Sequence, residues 1–253
     1  MINKPQEYVA QSYDPRAKDY VSSQVHAFGP DLEQIKALLN THNSASLLDL
    51  GCGGGHVSYC AAPLVKEVVA CDISQTMLDA VLQTAKEKSL NNIITQRAQA
   101  EQLPFENHQF DWVISRFSSH HWHNLAQGIS EIKRVLKPNG TAIIVDTIAP
   151  LDKTADSFLQ TIELLRDHSH VRNYNLAEYT QVFSIYELTL NSITQRELNL
   201  EFRSWINRTN PSAQCIQAII ELQQIAPAHV KDILKFQDNH GFSLPTATFI
   251  LNR

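Results

Sequence analysis

The residues with the clearest chemical potential begin at Asp49-Leu50-Gly51-Cys52-Gly53-Gly54-Gly55. A tight strand-to-helix turn needs glycine wherever the backbone must approach a ligand closely, because a Cβ there blocks both the turn and the contact. An acidic residue, Asp72, follows about 20 residues on, at the close of a second apolar run, where a carboxylate can accept both hydroxyls of a ribose. The pair therefore points to adenosine recognition. A second group is Ser115-Arg116-Phe117-Ser118-Ser119-His120-His121-Trp122-His123. A neutral imidazole near pH 7 can take a proton from a phenol, enol or amine, so His120 or His121 is a candidate base or orienting group. Surface or helix-start histidines are the alternative reading. A metal site would want carboxylate or cysteine partners beside them, and none stands there. A third group, Tyr8, Tyr13, Tyr20, His26 and Phe28, is either ordinary aromatic packing or a cap over the reacting centre, with Tyr20 the leading hydroxyl.

These residues need elements to hold them. Leu32, Ile35, Leu38 and Leu39 repeat at helical spacing, and the Asn/Ser-rich stretch 40–46 stops that helix before the buried run Leu47-Leu48-Asp49-Leu50. After the glycines the pattern predicts a helix over His56–Val65, a strand over Val68–Cys71, and a helix from a Ser74 cap to about Lys88. Ile93-Ile94 marks a third strand and Asp111–Ser115 a fourth. Leu125, Ile129, Ile132 and Leu136 predict a helix that stops at Lys137-Pro138-Asn139-Gly140, and Ala142–Val145 a fifth strand. Strands without polar alternation, separated by helices, belong to a parallel sheet covered on both faces. The fold class is α/β, with ligands expected at the carboxyl ends of the strands. Beyond Pro150 the pattern predicts helices over about 152–168, 176–186, 212–222 and 228–236. Strands are predicted over Leu198–Phe202 and Thr246–Leu251. No glycine-rich linker interrupts the chain, which reads as one domain: a cap over 1–30, a cofactor-binding core over 31–150, and lid helices with the last strands over 151–253.

In order along the chain, Leu47–Gly55, Ala70-Cys71-Asp72-Ile73-Ser74, Ala100-Glu101-Gln102-Leu103-Pro104-Phe105, Phe110-Asp111-Trp112-Val113 and Glu131–Gly140 resemble the signatures of class I S-adenosylmethionine (SAM)-dependent methyltransferases. The resemblance covers roughly Ala45 to Val145 and is strongest to the group containing the ubiquinone and menaquinone C-methyltransferases. It implies a Rossmann-like sheet, mostly parallel with the last strand antiparallel, and a helical lid inserted after the fifth strand. It further implies that Asp49, Gly51, Cys52 and Gly53 face the methionyl end of SAM, that Asp72 holds the ribose, and that Ile73 packs on adenine. Gln99, Ala100, Glu101 and Arg116 complete the implied cofactor set. Related sequences commonly carry an acid at the position of Gln99. A glutamine carbonyl can accept the same hydrogen bond from the adenine amino group. Read from local pattern alone, Asp49 could equally cap the following turn and Ile73 belong to the core.

Composition narrows the partners. With 21 basic against 26 acidic residues, a net charge of -5 and no clustered Lys/Arg, a phosphate backbone is an unsuitable partner, so no nucleic acid is expected. No run reaches the ~18 apolar residues of a membrane span, and the first residues lack a signal-peptide core. The four cysteines show no CxxC spacing, and a cytoplasmic protein is the expectation. The leading function is methyl transfer from SAM to a small-molecule acceptor, quinone-like or aromatic, leaving S-adenosylhomocysteine (SAH). The competing classes are a non-catalytic SAM-binding protein and an NAD-dependent oxidoreductase, which usually spaces its third glycine one position later.

Overall fold

The computed structural model describes residues 29–40 and 43–253, so Tyr20 and its aromatic neighbours lie outside the described residues. Helix α1 (Pro30–Leu39) begins with a proline, which needs no N–H in a first turn, and buries Leu32, Ile35 and Leu39. The sheet and its crossovers follow as β1 (Ser46–Leu50), α2 (His56–Ala61), β2 (Glu67–Asp72), α3 (Gln75–Glu87), β3 (Ile93–Arg97), β4 (Phe110–Arg116), α4 (Leu125–Val135) and β5 (Leu136–Thr147). Ser74 caps α3 as its position predicts, its side chain accepting from Met77 N–H. The remaining elements are α5 (Lys153–Arg166), α6 (Leu176–Ile185), β6 (Thr189–Leu200), α7 (Phe202–Asn207), α8 (Ala213–Ile225), α9 (Ala228–Leu234) and β7 (Phe242–Asn252).

Strand order is β3-β2-β1-β4-β5-β7-β6. The pairings from β3 through β5 are parallel, and β7 alone runs antiparallel, to both β5 and β6. The order turns outward in both directions from β1 and β4, which makes the carboxyl ends of these two strands the crevice where an open α/β sheet binds ligands. Leu47, Leu48 and Leu50 of β1 are at most 1% exposed, which is why that strand shows no alternation. Each fully buried leucine contributes ~1.5–3 kcal/mol from removal of apolar surface. One apolar core fills each sheet face, and a third joins α5 and α7–α9 to the ends of β6 and β7 around Leu159, Trp205, Val230 and Phe242. No helix of the described residues is long and apolar enough to cross a membrane.

Several boundaries differ from the sequence pattern. The helix expected to reach Val65 ends at Ala61 and tightens into a 3-10 turn over Ala62–Leu64, which contains Pro63. The strand expected over Leu198–Phe202 instead spans Thr189–Leu200. Phe202 starts α7 because the Glu201 carboxylate accepts from the N–H groups of Arg203 and Ser204 at 3.0 and 2.7 Å, an N-cap that outweighs the local alternation. Strand β5 begins at Leu136, ahead of the expected Ala142, and runs on past Val145 to Thr147, pairing with β7 from Thr141 onward. That extension places Asp146 and Thr147 at the carboxyl end of the sheet.

Candidate active site

The turn from β1 to α2 depends on three glycines in the left-handed region, with φ of 71° at Gly51, 48° at Gly53 and 80° at Gly55. A Cβ on Gly51 would stand 1.9 Å from Ser118 Oγ, whereas one on Gly53 would meet no protein atom within 4 Å. Gly51 is therefore glycine for close packing against the β4 loop, and Gly53 leaves open space on the wall of a cavity. The backbone of the turn is pinned to β2: Gly51 and Cys52 N–H both donate to Cys71 O, at 2.8 and 2.9 Å. Asp72 completes the connection. Its Oδ2 accepts from Gly53 N–H at 2.9 Å and its Oδ1 from Ser74 N–H at 3.0 Å, which fixes the carboxylate on the cavity wall.

Asp49, at 1% exposure, accepts from Ser58 N–H at 3.0 Å and Ser58 Oγ–H at 2.6 Å, so it does hold the start of α2. Burial pushes its pKa up to about 7, against the lowering effect of those two hydrogen bonds. It also lines the cavity, so the capping and ligand-facing readings apply to one side chain. The cavity, about 520 Å³, brings together every sequence-predicted site residue among the described positions: Asp49, Gly51, Cys52, Gly53, Asp72, Ile73, Gln99, Ala100, Glu101, Arg116, His120 and His121. Arg116 is ion-paired with Asp31 of α1. Gln99 Nε2 donates to Gln102 Oε1 at 3.3 Å, which leaves its carbonyl oxygen as the accepting end. Glu101 Oε1 accepts from Asn124 N–H at 3.2 Å and so steadies the start of α4. The open space at Gly53, the backbone-held Asp72 and the accepting end of Gln99 together fit an adenosine cofactor.

Beside the glycine turn the chain leaves β4 through Phe117, whose φ of 51° is sparsely populated for an aromatic residue. A 3-10 turn over Ser119–His121 then presents the two histidines. His120 Nδ1–H donates to Asp146 Oδ1 at 2.6 Å, and His120 N–H to Asp146 Oδ2 at 3.2 Å. Ser119 Oγ–H donates to Asp146 Oδ2 at 2.5 Å. Having given its proton there, it accepts from Tyr179 OH at 2.8 Å. Burial pulls the His120 imidazole down, but the charge and hydrogen bond of Asp146 outweigh it, so the net shift is upward. This arrangement commits Nδ1 and leaves Nε2 to act. His121 donates from Nδ1 to Ser169 O at 3.1 Å; burial and the neighbouring His120 push it down to about 4. Burial and the same neighbour push His170 down to about 3, and its Nε2–H donates to Gln160 Oε1 at 2.9 Å.

Sequence reasoning missed Asp146, Tyr179, Asn173 and His170. Asp146 had a readable signal: an acid closing the apolar run Ile143–Val145, just as Asp72 closes β2. The others reach the site through long-range packing, which local pattern does not carry.

These shifts set a stability optimum. Between about pH 4 and 6.5 the unfolded chain takes up two protons, on His121 and His170, that the folded chain refuses, while the folded chain holds one extra proton on Asp49. Stability therefore rises with pH across that window, by at most ~1.4 kcal/mol per unit for the net proton. Above 6.5, His120 holds a proton that the unfolded chain has released, and so does Asp49 up to about 7, which reverses the slope. Denaturant midpoints measured across this range should peak near pH 6.5; a midpoint that rises steadily into alkaline buffer would contradict the His120 assignment.

Comparison with known proteins agrees with this geometry. The family profile described as a methyltransferase domain matches residues 48–144. The uncharacterized protein YafE of Escherichia coli is 41% identical over 76% of this chain and 92% of its own length. The uncharacterized methyltransferase YcgJ of Bacillus subtilis is 32% identical over 82% of both chains. Its crystal structure superimposes with a TM-score of 0.83 over 88% of this chain and 97% of that one. The ubiquinone/menaquinone biosynthesis C-methyltransferase UbiE of Coxiella burnetii is 31% identical over 60% of this chain and 63% of its own length. With the glycine turn, the cavity-lining Asp72 and the sheet order already in place, these matches show that the chain belongs to the SAM-dependent methyltransferases of the class I, Rossmann-like fold.

Proposed function

We propose that the chain binds SAM in the glycine cradle and transfers its methyl group to a small organic acceptor, with His120 as the base and Asp146 as its positioning residue. When bound, SAM supplies an electrophilic methyl group on a sulfonium leaving group. The protein's own residues then hold the cofactor and acceptor, exclude water and manage one proton. Asp49, Gly51, Cys52 and Gly53 would hold the methionyl end, Asp72 the ribose, and Ile73, Gln99, Ala100 and Glu101 the adenine side. The observation that carries the reading is the His120–Asp146 pair at 2.6 Å on the wall of the same cavity as Gly53 and Asp72. An imidazole oriented through Nδ1 presents Nε2 as a proton acceptor, which a merely structural histidine has no need to do. The cationic sulfonium beside it would oppose protonation of His120 and so help keep the imidazole in its neutral, proton-accepting form.

An aromatic or quinone-like acceptor is supported by the apolar side chains of Leu198, Leu200, Trp205 and Leu244 among the residues that line the cavity, and by the similarity to UbiE, a ubiquinone/menaquinone biosynthesis C-methyltransferase. SAM and SAH should each stabilise the protein thermally, by ~2.7 kcal/mol at a ligand concentration of 100 times Kd, because they bind the folded state alone. NAD should give no shift. A shift with NAD and none with SAM would overturn the cofactor assignment. Retained SAM binding with no radiolabelled methyl transfer across a broad acceptor panel would leave the non-catalytic reading.

A further inference from the structure

The donors around His120 are almost all spent within the protein. Ser119 Oγ–H goes to Asp146, His121 Nδ1–H to Ser169 O, His170 Nε2–H to Gln160, and Ser169 Oγ–H to Asp167 Oδ1 at 2.6 Å. Among the described residues on the cavity wall, Asn173 keeps a donor unspent. It is 1% exposed, lines the cavity, and its Nδ2 meets no hydrogen-bond partner. Its orientation follows from its other end, where Oδ1 lies 2.6 Å from Thr147 Oγ1. That separation suits O–H···O and is short for N–H···O, so the amide nitrogen is turned away from Thr147. Thr147 adjoins Asp146 in β5 and its N–H donates to Asp146 Oδ1 at 2.8 Å. The 167–173 segment is stitched to the histidine turn as well, since Val171 and Arg172 N–H both donate to His120 O, at 3.0 and 3.1 Å. A buried N–H without a partner costs ~1–3 kcal/mol, a cost that a ligand oxygen would relieve.

We propose that the methyl acceptor is a phenol or an enolisable carbonyl compound, whose acidic O–H lies against His120 and whose oxygen takes a hydrogen bond from Asn173 Nδ2. This rests on His120 acting as the base. The O–H bond breaks, its proton passes to His120 Nε2, and the electron pair stays on the oxygen, where the amide donor meets the developing negative charge. An amine acceptor would bring donors of its own and leave Asn173 unmet. A thiol would be a weak acceptor for it.

The test uses the SAH-saturated protein with p-nitrophenol as the ionisable probe and nitrobenzene as its uncharged counterpart. Two variants are compared with the parent: Asn173→Leu, and Asn173→Asp, which keeps an oxygen for Thr147 Oγ–H but removes the donor. In buffer alkaline enough to ionise the probe in solution, both variants should bind p-nitrophenolate about tenfold or more weakly, with nitrobenzene unchanged. Equal losses for both probes, no loss, or no binding of p-nitrophenol by the parent would overturn the proposal. His120→Gln separates the two assignments. It should retain p-nitrophenolate binding in alkaline buffer and lose the proton uptake that accompanies binding near neutral pH. If proton uptake survives in His120→Gln while Asn173 discriminates the probes, the base assignment fails and the oxygen contact stands.

Discussion

Replacing Asp146 with asparagine should lower kcat by ~10²-fold or more while SAM affinity stays near that of the parent. The carboxylate does three things at once. It accepts from His120 Nδ1–H and so sets the tautomer, raises the imidazole pKa, and receives Ser119 Oγ–H and Thr147 N–H. Asparagine keeps the size and one accepting oxygen but removes the charge, and its amide nitrogen cannot accept from His120. The rising limb of the pH–rate profile should then move down, because the charge of Asp146 no longer raises the imidazole pKa. His120→Ala should remove the limb and lose turnover to a similar degree. The measurement is kcat and KM against pH with an acceptor found by screening. Normal turnover in His120→Ala and His121→Ala at every pH would return both histidines to packing roles. Tyr20 would become the next candidate.

Asp72→Ala should weaken SAM and SAH binding by ~2 kcal/mol or more, roughly 30-fold, through loss of charge-assisted hydrogen bonds to the ribose hydroxyls. The geometry adds a second component, because Asp72 also accepts from Gly53 and Ser74 N–H at 2.9 and 3.0 Å. Its removal therefore loosens the glycine turn as well as deleting the ribose contact. Asp72→Asn retains an oxygen for one of those N–H groups and should show a smaller loss. Calorimetric titration of both variants, alongside circular dichroism to show that they are folded, checks this. Unchanged affinity in a folded Asp72→Ala protein would mean that the ribose is held elsewhere.

The signature segments do not all serve the cavity. Asp49, Asp72 and Ala100 line it, whereas Asp111 lies at the amino end of the sheet, where its Oδ2 accepts from Ser46 N–H and Lys137 Nζ, both at 2.8 Å. Glu131 likewise joins Leu103 N–H to Arg134 and so ties α4 to the loop after β3. Both were legible as part of a family pattern, yet their work is to hold the sheet and its crossovers together. Asp49 shows the opposite overlap, since the acid that holds the start of α2 is also one that lines the cavity.

What the sequence determined by itself is the part governed by short-range physics. Buried strands without alternation, helical periodicity, the Ser74 cap and glycines spaced for positive φ are all local, so β1 to β5, the cradle and Asp72 could be read directly. His120 and His121 could be nominated by their place after the fourth strand, though nothing local distinguished one from the other. Tertiary structure made that distinction. Asp146 from β5 binds His120, while burial and the neighbouring His120 push the His121 and His170 imidazoles down and the 167–173 segment places Asn173 on the cavity wall. Those partners are separated in sequence by tens of residues and meet only when β5 pairs with β4 and the segment after α5 folds back over the sheet. A pKa depends on which charges and which solvent lie within a few ångströms, a property that a chain acquires only on folding.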